Sequence, residues 1–141
     1  MLYMFDTNVL SEHLKGNTRI VDRAAALGLE DAIAISNIAW FEIIRGRVSS
    51  LTTADAADQL LLAQSRLNRD LDGLDRFRIH DVSEAVARQF ELLRTNKKIK
   101  KIGRNDLLIA CIALANKAVL VTRNVKDFAN VPGLTLQNWF E

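Results

Sequence analysis

One cysteine in 141 residues excludes an internal disulfide and a cysteine-built zinc site. Cys111 lies inside Leu-Leu-Ile-Ala-Cys-Ile-Ala-Leu-Ala, where it reads as a small core residue rather than a nucleophile. The two histidines, His13 and His80, lack the spacing of a zinc pair. His13 reads as a surface residue, with a place in a cleft near Asp6 as the alternative. No apolar run is long enough to span a membrane. The first residues carry neither the basic segment nor the extended apolar stretch of a signal peptide, so a cytoplasmic protein is the default expectation. Charge of one sign is also scarce in surplus: 19 Lys and Arg against 17 Asp and Glu leave +2. That balance is too small to argue nucleic-acid binding by itself.

What is present is ordinary for a folded chain, with 49% hydrophobic and 26% charged residues. This length suits a single domain over residues 1–141 with a real core. There is no internal repeat, low-complexity tract or linker. Tyr3–Phe5 reads as a short buried strand. Thr7 can cap a helix over Val9–Lys15, which Gly16 and Asn17 stop. A helix over Arg19–Leu27 and a strand over Ala32–Ser36 follow. Ser36 and Asn37 then cap a helix through Ile-Ala-Trp-Phe-Glu-Ile-Ile-Arg-Gly-Arg. Val48–Thr53 is expected as a loop, and Ala54–Leu71 as a long helix forming a hairpin with the one before it.

Arg76–Ile79 is read as a third strand, and the segment from Asp81 to Asn96 as a helix by its apolar spacing. Lys97–Arg104 is a basic loop. Asn105–Asn116 is a helix apolar almost all round, and so buried. Ala118–Thr122 is a fourth strand, and Pro132-Gly133 turns the chain into a last one, Leu134–Leu136. Short apolar strands alternating with helices predict an α/β fold with a mostly parallel sheet.

Acids fall where such a fold binds ligands, outside the carboxyl ends of its strands. Asp6 ends the first strand. Glu42 lies about a turn and a half into the helix after the second. Asp106 begins the apolar helix. Asn124 and Asp127 follow the fourth strand. Singly, each has a bland reading: a turn acid for Asp6, an exposed helix residue for Glu42, a first-turn helix acid for Asp106. Together they are harder to dismiss, because Trp40, Phe41, Ile43 and Ile44 surround Glu42 with apolar neighbours. Carboxylates converging on one cleft repel and raise one another's pKa. Magnesium or manganese relieves that repulsion with oxygen ligands and retained waters, and such an ion suits phosphoryl chemistry. Lys97, Lys98, Lys100, Lys101 and Arg104 crowd directly before Asp106. They can hold a polyanion over the acids, or simply form a solvated loop.

These residues carry a resemblance. Phe-Asp-Thr-Asn-Val-Leu-Ser-Glu-His-Leu-Lys-Gly, Ile-Ser-Asn-Ile-Ala-Trp-Phe-Glu-Ile-Ile-Arg-Gly and Ile-Gly-Arg-Asn-Asp-Leu-Leu-Ile-Ala-Cys-Ile-Ala-Leu-Ala resemble, in order, the three motifs of PIN-domain ribonucleases. The likeness is strongest to the VapC-type toxins of bacterial toxin–antitoxin pairs. The stretch from Leu120 to Trp139 is similar to their C-terminal block, so the likeness covers nearly the whole chain. It implies a three-layer α/β/α sandwich and a magnesium-dependent endoribonuclease acting on RNA, transfer RNA among the candidates. It also implies a homodimer and a small VapB-like antitoxin, with larger toxin–antitoxin assemblies. Carried across, Asp6, Glu42 and Asp106 are the metal-centred acids, supported by Thr7, Asn8, Ser36 and Thr122. Many members carry a fourth acid where this chain has Asn124, so the remaining ligand falls to Asn124 or to the carboxylate of Asp127. The alternatives are a DNA nuclease with the same site and a catalytically inactive nucleic-acid-binding module. An aspartyl-nucleophile phosphatase is disfavoured, because the position two residues after Asp6 is Asn8 and not an acid.

Overall fold

The computed structural model describes residues 1–99 and 102–141. Its five strands are β1 (Leu2–Phe5), β2 (Ala32–Ser36), β3 (Arg78–His80), β4 (Val119–Val121) and β5 (Leu136–Gln137). They form one sheet in the order β3-β2-β1-β4-β5, and every pairing is parallel. Parallel neighbours need long crossovers. Here these are supplied by α1 (Thr7–Leu14), α2 (Thr18–Ala25), α3 (Asn37–Thr52), α4 (Ala57–Leu74), α5 (Glu84–Leu93) and α6 (Arg104–Ala115), with a short α7 (Val125–Phe128) after β4.

Successive side chains of a strand point to opposite faces, and the two cores follow from that. Phe5, Ile35 and Val121 pack with Val9, Leu10, Ile20, Ile43, Leu74 and Trp139 on the face of α1 to α4. Met4 and Leu120 pack with Val86, Leu93, Ile109, Ile112 and Phe128 on the face of α5 to α7. The result is the expected three-layer α/β/α sandwich. Helix α6 buries Leu107 and the unbroken run Ile109–Ala113, which explains its all-round apolar sequence. Cys111 is part of that run, fully buried, with its thiol pushed up to about 11 by burial. The core reading of this cysteine holds.

Several boundaries differ from expectation. Asp6, not Thr7, caps α1. The segment expected as a loop, Val48–Thr53, is helical through Thr52. Two features hold it there. Arg47 Nε donates to the buried Asp70 of α4 at 2.6 Å, with Arg69 on the other carboxylate oxygen at 2.9 Å. The hydroxyls of Ser50, Thr52 and Thr53 donate to carbonyls one turn back, so they need no turn to satisfy them. The expected hairpin of α3 and α4 is present, with α4 displaced three residues along the chain. α4 ends against α1: a Cβ on Gly73 would stand 2.5 Å from Leu14 Cδ2, so glycine permits this approach. The third strand begins two residues later than expected, because Phe77 packs on Phe5 and His13 instead. His13 is accordingly half-buried between rings rather than a plain surface residue. Helix α7 was not expected, and the last strand falls at Leu136–Gln137 rather than Leu134–Leu136.

The topology fixes where a ligand can bind. From β1 the chain builds outward to β2 and β3, then returns to β4 and β5 on the other side. The carboxyl end of β1 is therefore the point where strand order reverses and a crevice opens. Asp6 stands at that point, its N–H bonded to the Val121 carbonyl of β4 at 3.0 Å.

Candidate functional site

Asp6 is held from three directions. Its carboxylate accepts the Val9 N–H at 2.9 Å as the cap of α1. It accepts the Thr122 hydroxyl at 2.5 Å and is further steadied by the Asn8 N–H. Only 4% of the residue is exposed. Burial pushes its pKa up, the three hydrogen bonds pull it back, and the charge of Glu42 adds to the rise. This cap is buried and bonded across the sheet to a residue 116 positions away.

Thr122 is fully buried and does two things at once, because its hydroxyl also accepts the Asn124 N–H at 3.0 Å. The end of β4 is thereby tied both to Asp6 and to the start of α7, which carries Asp127. Ser36 is fully buried at the end of β2 and accepts the Ala39 N–H at 3.0 Å, capping α3. It supports the site through the helix that carries Glu42. Glu42 in turn accepts the Thr7 hydroxyl at 2.9 Å. Asn8 helps through its backbone, while its side chain is exposed.

Asp106 lies in the first turn of α6. Burial raises its pKa first, then the charges of Asp6, Glu42 and Asp127. Four acids from β1, α3, α6 and α7 thus share one electrostatic neighbourhood. Among the described residues none of them makes an ion pair. Also among the described residues, no three Asp, Glu, His or Cys side chains close tightly enough to enclose an ion. The donor set still suits a hard divalent cation. It is all oxygen, its charges are mutually unfavourable, and such ions commonly reach carboxylates through retained water.

The cations divide. Lys97 and Lys98 are exposed. Arg104 opens α6 two residues before Asp106 and lies over the Phe90 ring at 5.1 Å. Lys100 and Lys101 lie outside the described residues. Arg123 and Lys126, not singled out from the sequence, line a cleft together with Asn124 and Asp127. Their signal was present in Thr-Arg-Asn-Val-Lys-Asp, where the two cations interleave with the two candidate ligands.

Comparison with known proteins decides the family. The PIN domain matches residues 3–134. The chain belongs to the PIN-domain family. Within that family it is 31% identical to Ribonuclease VapC1 of Haemophilus influenzae (strain R2866), over 99% of this chain and 98% of that one. Two solved structures are similar throughout. VapBC2 from Rickettsia felis, bound to a DNA fragment from its promoter, gives a TM-score of 0.79 at 34% identity, covering 99% of each chain. VapBC-1 from nontypeable Haemophilus influenzae gives 0.80 at 28% identity, covering all of both chains.

Proposed function

We propose that this PIN domain is a metal-dependent endoribonuclease, the toxin of a toxin–antitoxin pair, acting as one cytoplasmic domain on RNA. One observation carries the reading: a buried Asp6 and the acid Asp106 both have raised proton affinity, in part because the acids around them repel. Uncompensated like charges cost stability, so the arrangement makes sense as a cation site. Magnesium or manganese bound there would supply Lewis acidity and a water of lowered pKa.

The chain's own residues supply position. Thr122 and the amides of Val9 and Asn8 favour the ionised form of the Asp6 carboxylate against its burial and fix its direction. Thr7 orients Glu42, and Ser36 fixes the helix that carries it. Asp106 presents a carboxylate from the opposite layer, and the fourth ligand is Asp127 or Asn124. Lys97, Lys98 and Arg104, with Lys100 and Lys101 of the same run, draw the phosphate backbone toward these acids.

The name and 31% identity of the Haemophilus influenzae relative support RNA as the substrate, with transfer RNA as one class to test. The Rickettsia felis and Haemophilus influenzae structures, solved as VapBC, support a VapB-like antitoxin; a toxin homodimer is part of the same proposal. Phe41 at 56% exposure offers that antitoxin an aromatic anchor. No described helix is long and apolar enough to cross a membrane.

The deciding experiment is cleavage of RNA by the purified chain with magnesium, with EDTA, and with Asp6→Asn. Cleavage is expected only in the first case. Full activity in EDTA would refute the metal. Cleavage of DNA in preference to RNA would favour the alternative substrate.

A further inference from the structure

We propose that the cleft beside α7, built on the stack of Arg123 over Phe140, seats the phosphate of a nucleotide flanking the scissile bond. This rests on the nuclease reading above and adds a substrate subsite formed by residues other than the Lys97–Arg104 run.

The cleft has a volume of about 430 Å³ and is lined by Arg123, Asn124, Val125, Lys126, Asp127, Asn138 and Glu141. It is therefore continuous with the candidate ligands Asn124 and Asp127. Arg123 follows Thr122, whose hydroxyl is bonded to Asp6. Arg123 is thus one residue from the side chain that bonds the acid at the tip of β1.

What distinguishes Arg123 from an ordinary surface cation is its support. Its guanidinium lies 3.7 Å from the centre of the Phe140 ring. The ring belongs to a segment tied down on every side. Arg19 donates to the Phe140 carbonyl, and Asn138 Oδ1 accepts the Phe140 N–H at 2.9 Å. Arg23 donates to the Asn138 carbonyl at 3.3 Å and lies over Trp139. Trp139 is 2% exposed and packs on Phe5 and Tyr3 of the sheet face. A long exposed side chain normally loses rotamer freedom when it binds. One already stacked on a fixed ring loses less. Stacking also leaves the in-plane N–H groups of a guanidinium free to grip a phosphate with two bonds. Among the described residues neither Arg123 nor Lys126 is paired with a carboxylate. Asp127 and Glu141 share the lining, so the cleft holds both signs, and its two unpaired cations are the groups open to a phosphate of the strand drawn to the neighbouring acids.

The test uses a labelled single-stranded RNA of random sequence. Binding is measured to the full chain carrying Asp6→Asn, so that cleavage does not intervene, across a range of salt concentrations. Adding Arg123→Gln and Lys126→Gln should weaken binding at least about tenfold. It should also reduce the slope of log affinity against log salt by about 1.4, or 0.7 for each lost single-strand contact. Phe140→Leu removes no charge, so it should weaken binding while leaving most of the slope. Arg123→Lys should not restore affinity, because an ammonium has no planar fork. In the cleaving chain, Arg123→Gln should raise KM by a larger factor than it lowers kcat.

An unchanged slope and unchanged KM, in variants whose melting matches the parent, would overturn the subsite. So would a loss of antitoxin binding with RNA binding untouched, which would assign the cleft to the protein partner. The nuclease reading fails separately, if the unsubstituted chain cleaves no RNA with magnesium.

Discussion

Thr122→Val is the most informative single substitution at this site, because it changes one atom's chemistry and almost no volume. The hydroxyl it removes donates to Asp6 at 2.5 Å and accepts from Asn124 N–H at 3.0 Å, in a fully buried position. A hydrogen bond to a charged group contributes about 1.5–3 kcal/mol, and an unpaired amide costs about 1 kcal/mol where water can partly reach it. The sum is roughly 2.5–4 kcal/mol of stability. For a chain of this size that corresponds to a melting shift of about 6–14 °C. The catalytic consequence has a definite sign. The Thr122 bond lowers the proton affinity of an Asp6 that burial has raised. Without the bond that affinity rises further, so the acid limb of the pH–rate profile moves to higher pH. Thr122→Ser keeps the hydroxyl, loses only a methyl, and should retain the parent's profile. Thermal melts and pH–rate profiles of the three proteins, on one RNA, make the comparison. A folded Thr122→Val with the parent's pH profile, or a Ser variant as impaired as the Val variant, would refute the reasoning.

Asp106→Asn should raise the melting temperature of the protein in EDTA at neutral pH and abolish stabilisation by magnesium. Asp106 binds its proton more tightly folded than unfolded, so its contribution is fully present in acid and is lost as pH rises through the folded pKa. The gain from the variant should therefore vanish as pH falls toward the ordinary carboxyl range, and a variant less stable at every pH would contradict this. Asp127→Ala should weaken magnesium binding, followed by calorimetry, more than Asn124→Ala, because the Asp127 charge is felt at Asp106; the reverse order would assign the fourth ligand to Asn124. Asp70→Ala removes a carboxylate that is 1% exposed and bonded to Arg47. Breaking such a buried pair costs about 3–5 kcal/mol, which denaturant unfolding will measure, while magnesium binding should persist because Asp70 joins α3 to α4 and is not one of the site acids.

The sequence by itself determined what local rules reach. Alternating strands and helices, the buried character of Asn105–Asn116 and the core role of Cys111 all follow from periodicity and composition, because burial must match the period of the element. The candidate acids were legible as a group, since each alone has a structural reading but several falling near the carboxyl ends of strands are harder to explain that way. Where long-range packing competes with local signals, the sequence misled. Ser and Thr after Arg47 read as a loop, yet they stay helical because Arg47 meets Asp70, 23 residues on. Phe77 reads as strand, yet it is withdrawn to pack on Phe5 and His13. Tertiary structure alone decided the Thr122–Asp6 bond, the coupling of Asp127 to Asp106 and the stack of Arg123 on Phe140. Each joins residues that only strand order or the folded-back tail brings together. No spacing along the chain encodes such a meeting, because it depends on which strand lies beside β1 and on which face its last side chain emerges.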